Sequence, residues 1–131
     1  MQLRRLSVAM CTCNGAPYLR AQLRSLAAQS RVPDEVVVCD DVSSDATCDI
    51  IADFATRAPF PVRLHVNARR LGWTKNFEQA VALCDGELIA LSDQDDVWYP
   101  YKIALHHLCT AVSRGIIDAD DAQPVRAGWA A

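Results

Sequence analysis

Short apolar runs and amphipathic helical stretches alternate four times along the chain, and this alternation limits the fold more than any other feature. The runs Leu6–Cys11, Glu35–Cys39 and Glu87–Leu91 are nearly continuous in apolar residues, as expected for strands covered on both faces. Val62–Val66 alternates in polarity and is the predicted third strand. The pattern predicts an α/β fold, with a mostly parallel sheet and helices on both faces.

Each predicted strand is followed by apolar residues at helical spacing. The first helix is expected over about Tyr18–Gln29, after a loop that contains Pro17. N-cap oxygens are available from Ser43–Asp45 for the second helix and from Thr74 for the third. Pro100 suits the first turn of the last helix.

The composition predicts one soluble domain with a hydrophobic core. Of the 131 residues, 51% are hydrophobic and 22% are charged, which excludes a disordered chain. A formal net charge of -3 argues against a nucleic-acid partner. No apolar run reaches the roughly 18 residues that cross a bilayer, so we expect a cytoplasmic protein without a transmembrane segment. The domain is expected over residues 1–112, with a loosely ordered tail over 113–131, where the periodicity fades.

The six cysteines are expected to be reduced, buried thiols that act as small hydrophobic side chains. They lie mostly inside apolar segments. Their spacing shows no pair of C-x-x-C motifs and no His pair at zinc distance. A disulfide framework or a structural zinc site is therefore not predicted.

Polar residues gather at the points where the predicted strands end. Thr12–Asn14 follows the first strand, Asp40–Asp41 the second and Asp93–Asp96 the fourth. In open parallel sheets, ligands bind beyond the carboxyl ends of the strands. We therefore expect these three clusters to form one site.

The acidic cluster after the fourth strand predicts a cation site. Asp93, Asp95 and Asp96 repel one another on a short loop unless a cation or hydrogen bonds stabilise them. Mg²⁺ and Mn²⁺ prefer such oxygen ligands, and a bound ion with open positions can hold a diphosphate. The alternative is a solvated acidic turn at the N-terminus of the next helix.

Two interpretations are open for the other clusters. A carboxylate of Asp40 or Asp41 can accept hydrogen bonds from a pyrimidine N3–H or from ribose hydroxyls. The same pair can instead cap the following helix or form an Asx turn. Thr12 and Asn14 either line a base pocket or satisfy the turn after the first strand.

Four motifs in the same order resemble family-two glycosyltransferases of the GT-A fold. They are Ser7–Gly15, Asp34–Asp45, Leu71–Phe77 and Leu91–Trp98. The last two are similar to the bacterial rhamnosyltransferase-like branch, which builds surface polysaccharides. The resemblance extends from about Leu6 to Leu108. It implies the Rossmann-like, nucleotide-binding half of the fold.

The resemblance implies a nucleotide-sugar donor of UDP or dTDP type and a saccharide acceptor. By the family pattern, Thr12 and either Asp40 or Asp41 lie against the base and ribose. Lys75 stands where the family often has an Arg near the diphosphate.

The same pattern assigns the acidic cluster. Asp93 and Asp95 correspond to the D-x-D motif, which touches ribose and the divalent metal, Mn²⁺ or Mg²⁺. Asp96 is their acidic neighbour and a further candidate metal ligand.

This chain departs from the family pattern at several loop positions. Cys13 stands where Tyr is usual, and Arg70 stands where Asn is common. Val42 and Ala46 both replace glycines. A glycine in a turn often supplies a positive φ angle, which a β-branched residue adopts poorly.

Length is a further departure, because family members are about twice as long. Their second half normally carries the acceptor site and the general base. We therefore expect a chain truncated before the acceptor site, without a catalytic base and prone to self-association through an unpaired sheet edge. His107 is expected in the core, and Trp73 and Trp98 are expected to pack rather than to contact ligand.

The alternative function is a non-catalytic nucleotide-binding module or a receiver-like signalling domain. A receiver needs an acidic pair after its first strand, where this chain has Thr12–Asn14. It also needs a Lys after the last strand, and none is evident there. The donor-binding interpretation is therefore preferred.

Overall fold

Four strands and four helices alternate along residues 4–113, the part of the chain that the computed structural model describes. In order they are β1 (Leu6–Thr12), α1 (Ala16–Ala27), β2 (Glu35–Asp40), α2 (Thr47–Ala55), β3 (Val62–Val66), α3 (Trp73–Leu83), β4 (Leu88–Asp93) and α4 (Lys102–Ser113). The tail expected over 113–131 lies, beyond Ser113, outside the described residues. None of the helices within 4–113 has the length and apolar character to span a bilayer.

The strands form one parallel sheet in the order β3-β2-β1-β4. The central strand β1 pairs with β2, where Thr12 lies opposite Asp40. It pairs on its other side with β4, where Cys11 lies opposite Asp93. The predicted parallel α/β fold is confirmed, and this register brings all three polar clusters to one edge of the sheet.

Helices cover both faces of the sheet, as predicted. On one face, Leu23 of α1 and Ile51 of α2 belong to the buried cluster that includes Val8. On the other face, Ala80 of α3 is buried with Ala9 of β1. Because both faces are covered, the central strands are apolar throughout rather than alternating.

Three helices begin at residues other than those predicted. Helix α1 begins at Ala16, so Pro17 lies in its first turn, where a missing N–H costs nothing. Helix α3 begins at Trp73 with Gly72 at the cap position, so Thr74 lies inside the helix and does not cap it. Helix α4 begins only at Lys102, after Pro100.

The cap predicted for α2 is also wrong. Ala46 occupies the cap position and no side chain caps the helix. The Ser43 hydroxyl instead donates to Asp40 Oδ1 at 2.6 Å, and the Ser44 N–H donates to Asn14 Oδ1 at 2.8 Å. Asp45 accepts the Thr47 N–H at 3.0 Å in a local turn. The cap candidates are thus engaged by neighbouring loops.

Strands β2 and β4 extend further than the apolar runs. Strand β4 continues through Asp93 because Ser92 and Asp93 pair with Met10 and Cys11 of β1. Three predicted site residues, Thr12, Asp40 and Asp93, are therefore the last residues of strands. Sheet pairing holds their backbones in place.

A buried polar stripe, formed by Gln22 and Ser25 of α1 and by Gln29 just after it, holds the segment between β4 and α4. Gln22 Nε2 donates to Ser92 Oγ, and Ser25 Oγ accepts the Trp98 N–H at 3.0 Å. Gln29 Nε2 donates to the Tyr99 carbonyl at 2.7 Å, and Gln29 Oε1 accepts the N–H of Ile103 at 3.1 Å. These bonds satisfy polar groups that would be costly to bury alone, and they fix the path of the chain after Asp96.

Candidate functional site

The strand order places a crevice between the carboxyl ends of β1 and β4. The chain leaves β1 through α1 on one face and enters β4 from α3 on the other, which is the topology that opens ligand crevices in α/β sheets. A pocket of about 420 Å³ lies at this edge. It is lined by Cys11, Thr12, Cys13, Asp41, Trp73, Asn76, Asp93, Gln94 and Asp95.

The pocket brings together half of the eight predicted site residues. Four of them line it: Thr12, Asp41, Asp93 and Asp95. The other four do not line it: Asn14, Asp40, Lys75 and Asp96. The second group lies around the pocket rather than in its walls.

Asp40 is fully buried and its carboxylate is used within the protein. Its Oδ1 accepts the hydroxyls of Thr12 at 2.7 Å and Ser43 at 2.6 Å, and its Oδ2 accepts the Ser43 N–H at 2.9 Å. Thr12 itself lines the pocket. In this arrangement Asp40 orients Thr12 and the β2–α2 loop, and contact between Asp40 and a ligand stays a prediction.

Asp41 lines the pocket and anchors the loop before α3. Its Oδ1 accepts the Leu71 N–H at 2.7 Å and the Asn67 side-chain amide at 3.1 Å, and its Oδ2 accepts the Gly72 N–H at 3.0 Å. Burial on its own would raise the pKa of Asp41. These hydrogen bonds and the charge of Arg70 outweigh burial, so the pKa lies below its usual value. Asp41 is therefore a charged wall of the pocket at neutral pH.

Two non-glycine residues with positive φ shape the loops beside the pocket. Val42 has φ 59° and Asn14 has φ 50°. Val42 stands where the resemblance places a glycine, so the expected conflict between a β-branched side chain and a left-handed backbone is present. Asn14 joins the loops, because its N–H donates to Ser43 Oγ at 2.8 Å and its Oδ1 accepts the Ser44 N–H.

Gln94 bridges the crevice, a role that no local sequence pattern predicts. Its Oε1 accepts the Cys13 N–H at 2.8 Å and its Nε2 donates to the Cys13 carbonyl at 3.2 Å. A Cβ at Gly15 would lie only 2.6 Å from Gln94 Cδ. The absent side chain of Gly15 therefore makes room for the bridge between the loops after β1 and β4.

The acidic cluster contributes two carboxylates to the pocket lining, which is fewer than a complete set of metal ligands. Asp93 is half-buried and Asp95 is exposed, and both line the pocket. Asp96 is exposed outside it, and its N–H donates to the Asp93 carbonyl at 3.2 Å in a tight turn. Within residues 4–113, no three His, Cys, Asp or Glu side chains form a metal-binding group.

This donor set suits a metal ion that arrives with other oxygen ligands. Magnesium is commonly held by one or two carboxylates, and substrate phosphates and waters complete its coordination. Asp93 and Asp95 offer such a partial set at the pocket wall. Asp96 would have to turn inward to join them.

Trp73 and Trp98 differ from one another, and the packing role expected for both holds only for Trp98. Trp98 is buried in the main core, where Lys102 Nζ lies 4.2 Å from its ring centroid. Trp73 is 69% exposed and lines the pocket. Its ring contacts Phe77 edge-on, with centroids 5.5 Å apart.

Three carboxylates and no Lys or Arg side chain line the described pocket. The carboxylates are Asp41, Asp93 and Asp95. Lys75, which the resemblance implies near a diphosphate, is exposed on α3 outside the lining. The pocket walls are therefore negative and repel a free anion.

The Cys11 thiol at the pocket wall is held in its neutral form. Burial, and then the neighbouring Cys39 and the charges of Asp93 and Asp41, raise the pKa of Cys11 to about 12. The five cysteines whose side chains are described are free, as expected. The expected burial holds only for Cys11 and Cys39 among these five and is wrong for the other three, which are half-buried: Cys13, Cys48 and Cys84.

His107 lies away from the pocket, as expected for a core residue. It is buried on α4, and its Nε2 has no hydrogen-bond partner among the described residues. Burial, and then the charge of Arg31, lower its pKa. A neutral imidazole in this position does not reach the pocket lining.

Comparison with protein families gives a match over most of the chain. Residues 7–108 match the family described as Glycosyl transferase family 2. The chain is 35% identical over 101 residues to the uncharacterized protein Rv1520 of Mycobacterium tuberculosis. It is 34% identical over 98 residues to the dTDP-rhamnosyl transferase RfbG of Shigella flexneri.

These matches cover much more of this chain than of its relatives. They include 76% of the chain but 29% of Rv1520, and 72% of the chain but 34% of RfbG. The matched part is thus a smaller share of the relatives than the half that the resemblance implied.

Two solved structures share the architecture. The UDP complex of residues 1–349 of TarS from S. aureus is 26% identical, with a TM-score of 0.71, and the match covers 84% of this chain and 32% of that one. The mannosyltransferase PcManGT of Pyrobaculum calidifontis, with GDP-Man and Mn²⁺, is 26% identical, with a TM-score of 0.73. That match covers 86% of this chain and 33% of the other.

Proposed function

The chain belongs to glycosyl transferase family 2, and we propose that its crevice binds a nucleoside-diphosphate sugar together with Mn²⁺ or Mg²⁺. Its parallel sheet has the architecture of GT-A glycosyltransferase structures and would be the nucleotide-binding part of that fold. The donor would be of UDP or dTDP type, and the sugar would pass to a saccharide acceptor. The family membership removes the receiver-like alternative.

The charge of the pocket is the observation that carries the metal proposal. Asp41, Asp93 and Asp95 line it without a basic side chain. A diphosphate brings further negative charge, and like charges a few ångströms apart in a partly desolvated pocket repel one another strongly. A divalent cation held by Asp93 and Asp95 would remove this repulsion. The Mn²⁺ in the related mannosyltransferase structure supports the presence of a divalent cation beside the donor.

The positions of the polar residues suggest how the donor is oriented. Thr12 and Asp41 lie at the ends of β1 and β2, where they offer a hydroxyl and a carboxylate to a base and ribose. Asp93 and Asp95 lie at the end of β4, on the other side of β1. The base would therefore lie near β2 and the diphosphate near β4. The UDP in the related TarS structure supports a nucleotide ligand.

The residues of this chain would bind and orient the donor. Gln94 holds the loop after β1 against the loop after β4, and Asp40 fixes the Thr12 hydroxyl. When bound, the cation would neutralise the diphosphate as it leaves the sugar. The three carboxylates of the pocket are assigned to the nucleoside and the cation, and the other described ionisable side chains of its lining are Cys11 and Cys13. The base that deprotonates an acceptor hydroxyl would therefore come from outside this pocket.

Calorimetry with UDP and dTDP tests the proposal. The purified chain should bind at least one of them in Mn²⁺ or Mg²⁺, and EDTA should abolish the binding. GDP and ADP, measured beside them, report whether the pocket prefers pyrimidine bases. Equal binding with and without EDTA would contradict the metal role, and the absence of binding to any of the four would contradict nucleotide binding.

A further inference from the structure

Trp73 is a large apolar ring that stays exposed at the wall of a polar pocket. It is the first residue of α3, and 69% of its surface is accessible. An indole offers a flat surface whose burial is among the most stabilising that a side chain can provide. A ligand in the pocket would cover this surface.

The ring is oriented before any ligand arrives. Gly72, with φ 85°, turns the chain into α3, and its N–H is held by Asp41 Oδ2 at 3.0 Å. One turn along the helix, Phe77 contacts the indole at an interplanar angle of 79°. The backbone before Trp73 and the ring beside it therefore both restrict the indole, so little entropy is lost when a flat group packs on it.

Trp73 lies on the side of the pocket that we assign to the base. Its neighbour Gly72 is bonded to Asp41 at the end of β2, whereas the acidic cluster lies at the end of β4. Trp73 is also the sole aromatic residue in the described pocket lining, because Cys13 stands where the family pattern usually has Tyr. A nucleobase bound in this subsite therefore has one aromatic side chain of the described pocket lining to stack on, that of Trp73.

We propose that the nucleobase of the donor stacks on the indole of Trp73. The inference rests on the proposed nucleotide function and adds a contact that the sequence patterns did not assign. Stacking on an aromatic face tolerates any base, because every base has a π-face. Trp73 therefore contributes affinity, and the choice among bases falls to the polar groups of Thr12 and Asp41.

The test compares Trp73→Leu and Trp73→Phe with the unaltered chain in Mn²⁺. Trp73→Leu should weaken UDP binding about tenfold, and Trp73→Phe should retain most of the affinity. Inorganic pyrophosphate, which has no base, should bind both variants like the unaltered chain. Tyr99→Leu is the matched control, since Tyr99 is 84% exposed and lies outside the pocket lining.

Fluorescence gives a second readout that does not depend on the affinity of a weakened variant. Saturating UDP should quench the emission of the unaltered chain, and Trp73→Leu should remove most of that quenching. Thermal melts of all variants in the absence of ligand check that each one is folded.

The failures of the two proposals are distinguishable. If the unaltered chain binds neither UDP nor pyrophosphate, the nucleotide function is wrong and the stacking proposal falls with it. If the unaltered chain binds UDP and Trp73→Leu binds it equally well, only the stacking is wrong. A variant that keeps UDP but loses UDP-GlcNAc would place the indole against the sugar, and an equal loss of pyrophosphate would show a general disturbance; both overturn the base assignment.

Discussion

The carboxylate of Asp41 accepts the backbone N–H of Gly72 at 3.0 Å, and this contact joins the end of β2 to the start of α3. The two residues are 31 positions apart in the chain. The bond takes the place of a side-chain cap on α3, which has none. The Asp41 side chain thus contributes a negative charge to the pocket wall and also holds the start of α3.

Replacing Asp41 by Asn should destabilise the protein and change its response to acid. An amide cannot accept at both positions, so an N–H of Gly72 or Leu71 would face another donor, at a cost of about 2 kcal/mol at pH 7. The folded pKa of Asp41 is lowered from 3.8, so its stabilisation is complete well above pH 4 and is lost as the pH falls through the lower folded value. Urea denaturation at pH 7 and at pH 3 measures both effects.

The difference between the unaltered chain and Asp41→Asn should therefore shrink on acidification. Asp96→Asn serves as the control, since Asp96 is exposed outside the pocket. A difference that is as large at pH 3 as at pH 7 would mean that the charge of Asp41 does not contribute to folding.

Replacing Asp95 by Ala should weaken the binding of a nucleoside diphosphate much more than that of a nucleoside. Asp95 would hold the cation that meets the phosphates, so its loss should cost roughly 1.5–3 kcal/mol, which is tenfold or more in affinity. Calorimetry with UDP and uridine in Mn²⁺ measures the two losses. Asp96→Ala, outside the pocket, should change neither. Equal losses for UDP and uridine would disprove the proposed division of the site.

Replacing Val42 by Gly should stabilise the protein. Val42 has φ 59° and its side chain is 40% exposed, so little packing is lost with it. Relief of the left-handed strain, worth about 1–2 kcal/mol, exceeds the roughly 0.5–1 kcal/mol by which glycine increases the entropy of the unfolded chain. Denaturant titration should therefore show a gain of about 0.5–1 kcal/mol. Val97→Gly, which is exposed without a positive φ, should instead lose stability.

The contact between Gly15 and Gln94 predicts a non-additive pair of substitutions. Gly15→Ala places a Cβ against the Gln94 side chain and should displace the bridge to Cys13, with a loss of about 1–3 kcal/mol. In a Gln94→Ala background most of that cost should disappear, because the two nearest obstructing atoms, Oε1 and Cδ, are gone and only the Cβ at 3.1 Å stays. A double-mutant cycle by thermal denaturation measures the coupling. Strict additivity would show that Gly15 is required for its backbone rather than for space.

The sheet and the edge that carries the site were predictable because their signals are local. Uninterrupted apolar runs ending in Thr12, Asp40 and Asp93 require nothing beyond the residues themselves, and the structure brings these ends together. Four of the eight candidate side chains line the pocket for the same reason.

The details of the site depend on contacts between distant parts of the chain, which local patterns do not contain. Gln94 and Cys13 are 81 positions apart, and nothing in either segment indicates their pairing. Trp73 was expected to pack because most tryptophans do, and only the turn at Gly72 reveals that its ring faces the pocket.

The polar stripe on α1 is an intermediate case. Gln22, Ser25 and Gln29 recur at helical spacing beside the leucines, so their position near the buried face was visible in the sequence. Polar side chains of an amphipathic helix usually face the solvent, however. These three are buried because the backbone between β4 and α4 offers each of them a partner.

The sheet order leaves β4 with one side unpaired among the described residues, and Leu91 on that strand is 56% exposed. Free N–H and C=O groups beside an apolar side chain form a template on which a further strand can add. We propose that in concentrated solution two copies of the chain associate through β4. The highest concentration at which the protein stays monomeric would then depend on this strand rather than on the whole fold. Leu91→Lys should then raise solubility, because it places a charge on the strand edge outside the pocket lining.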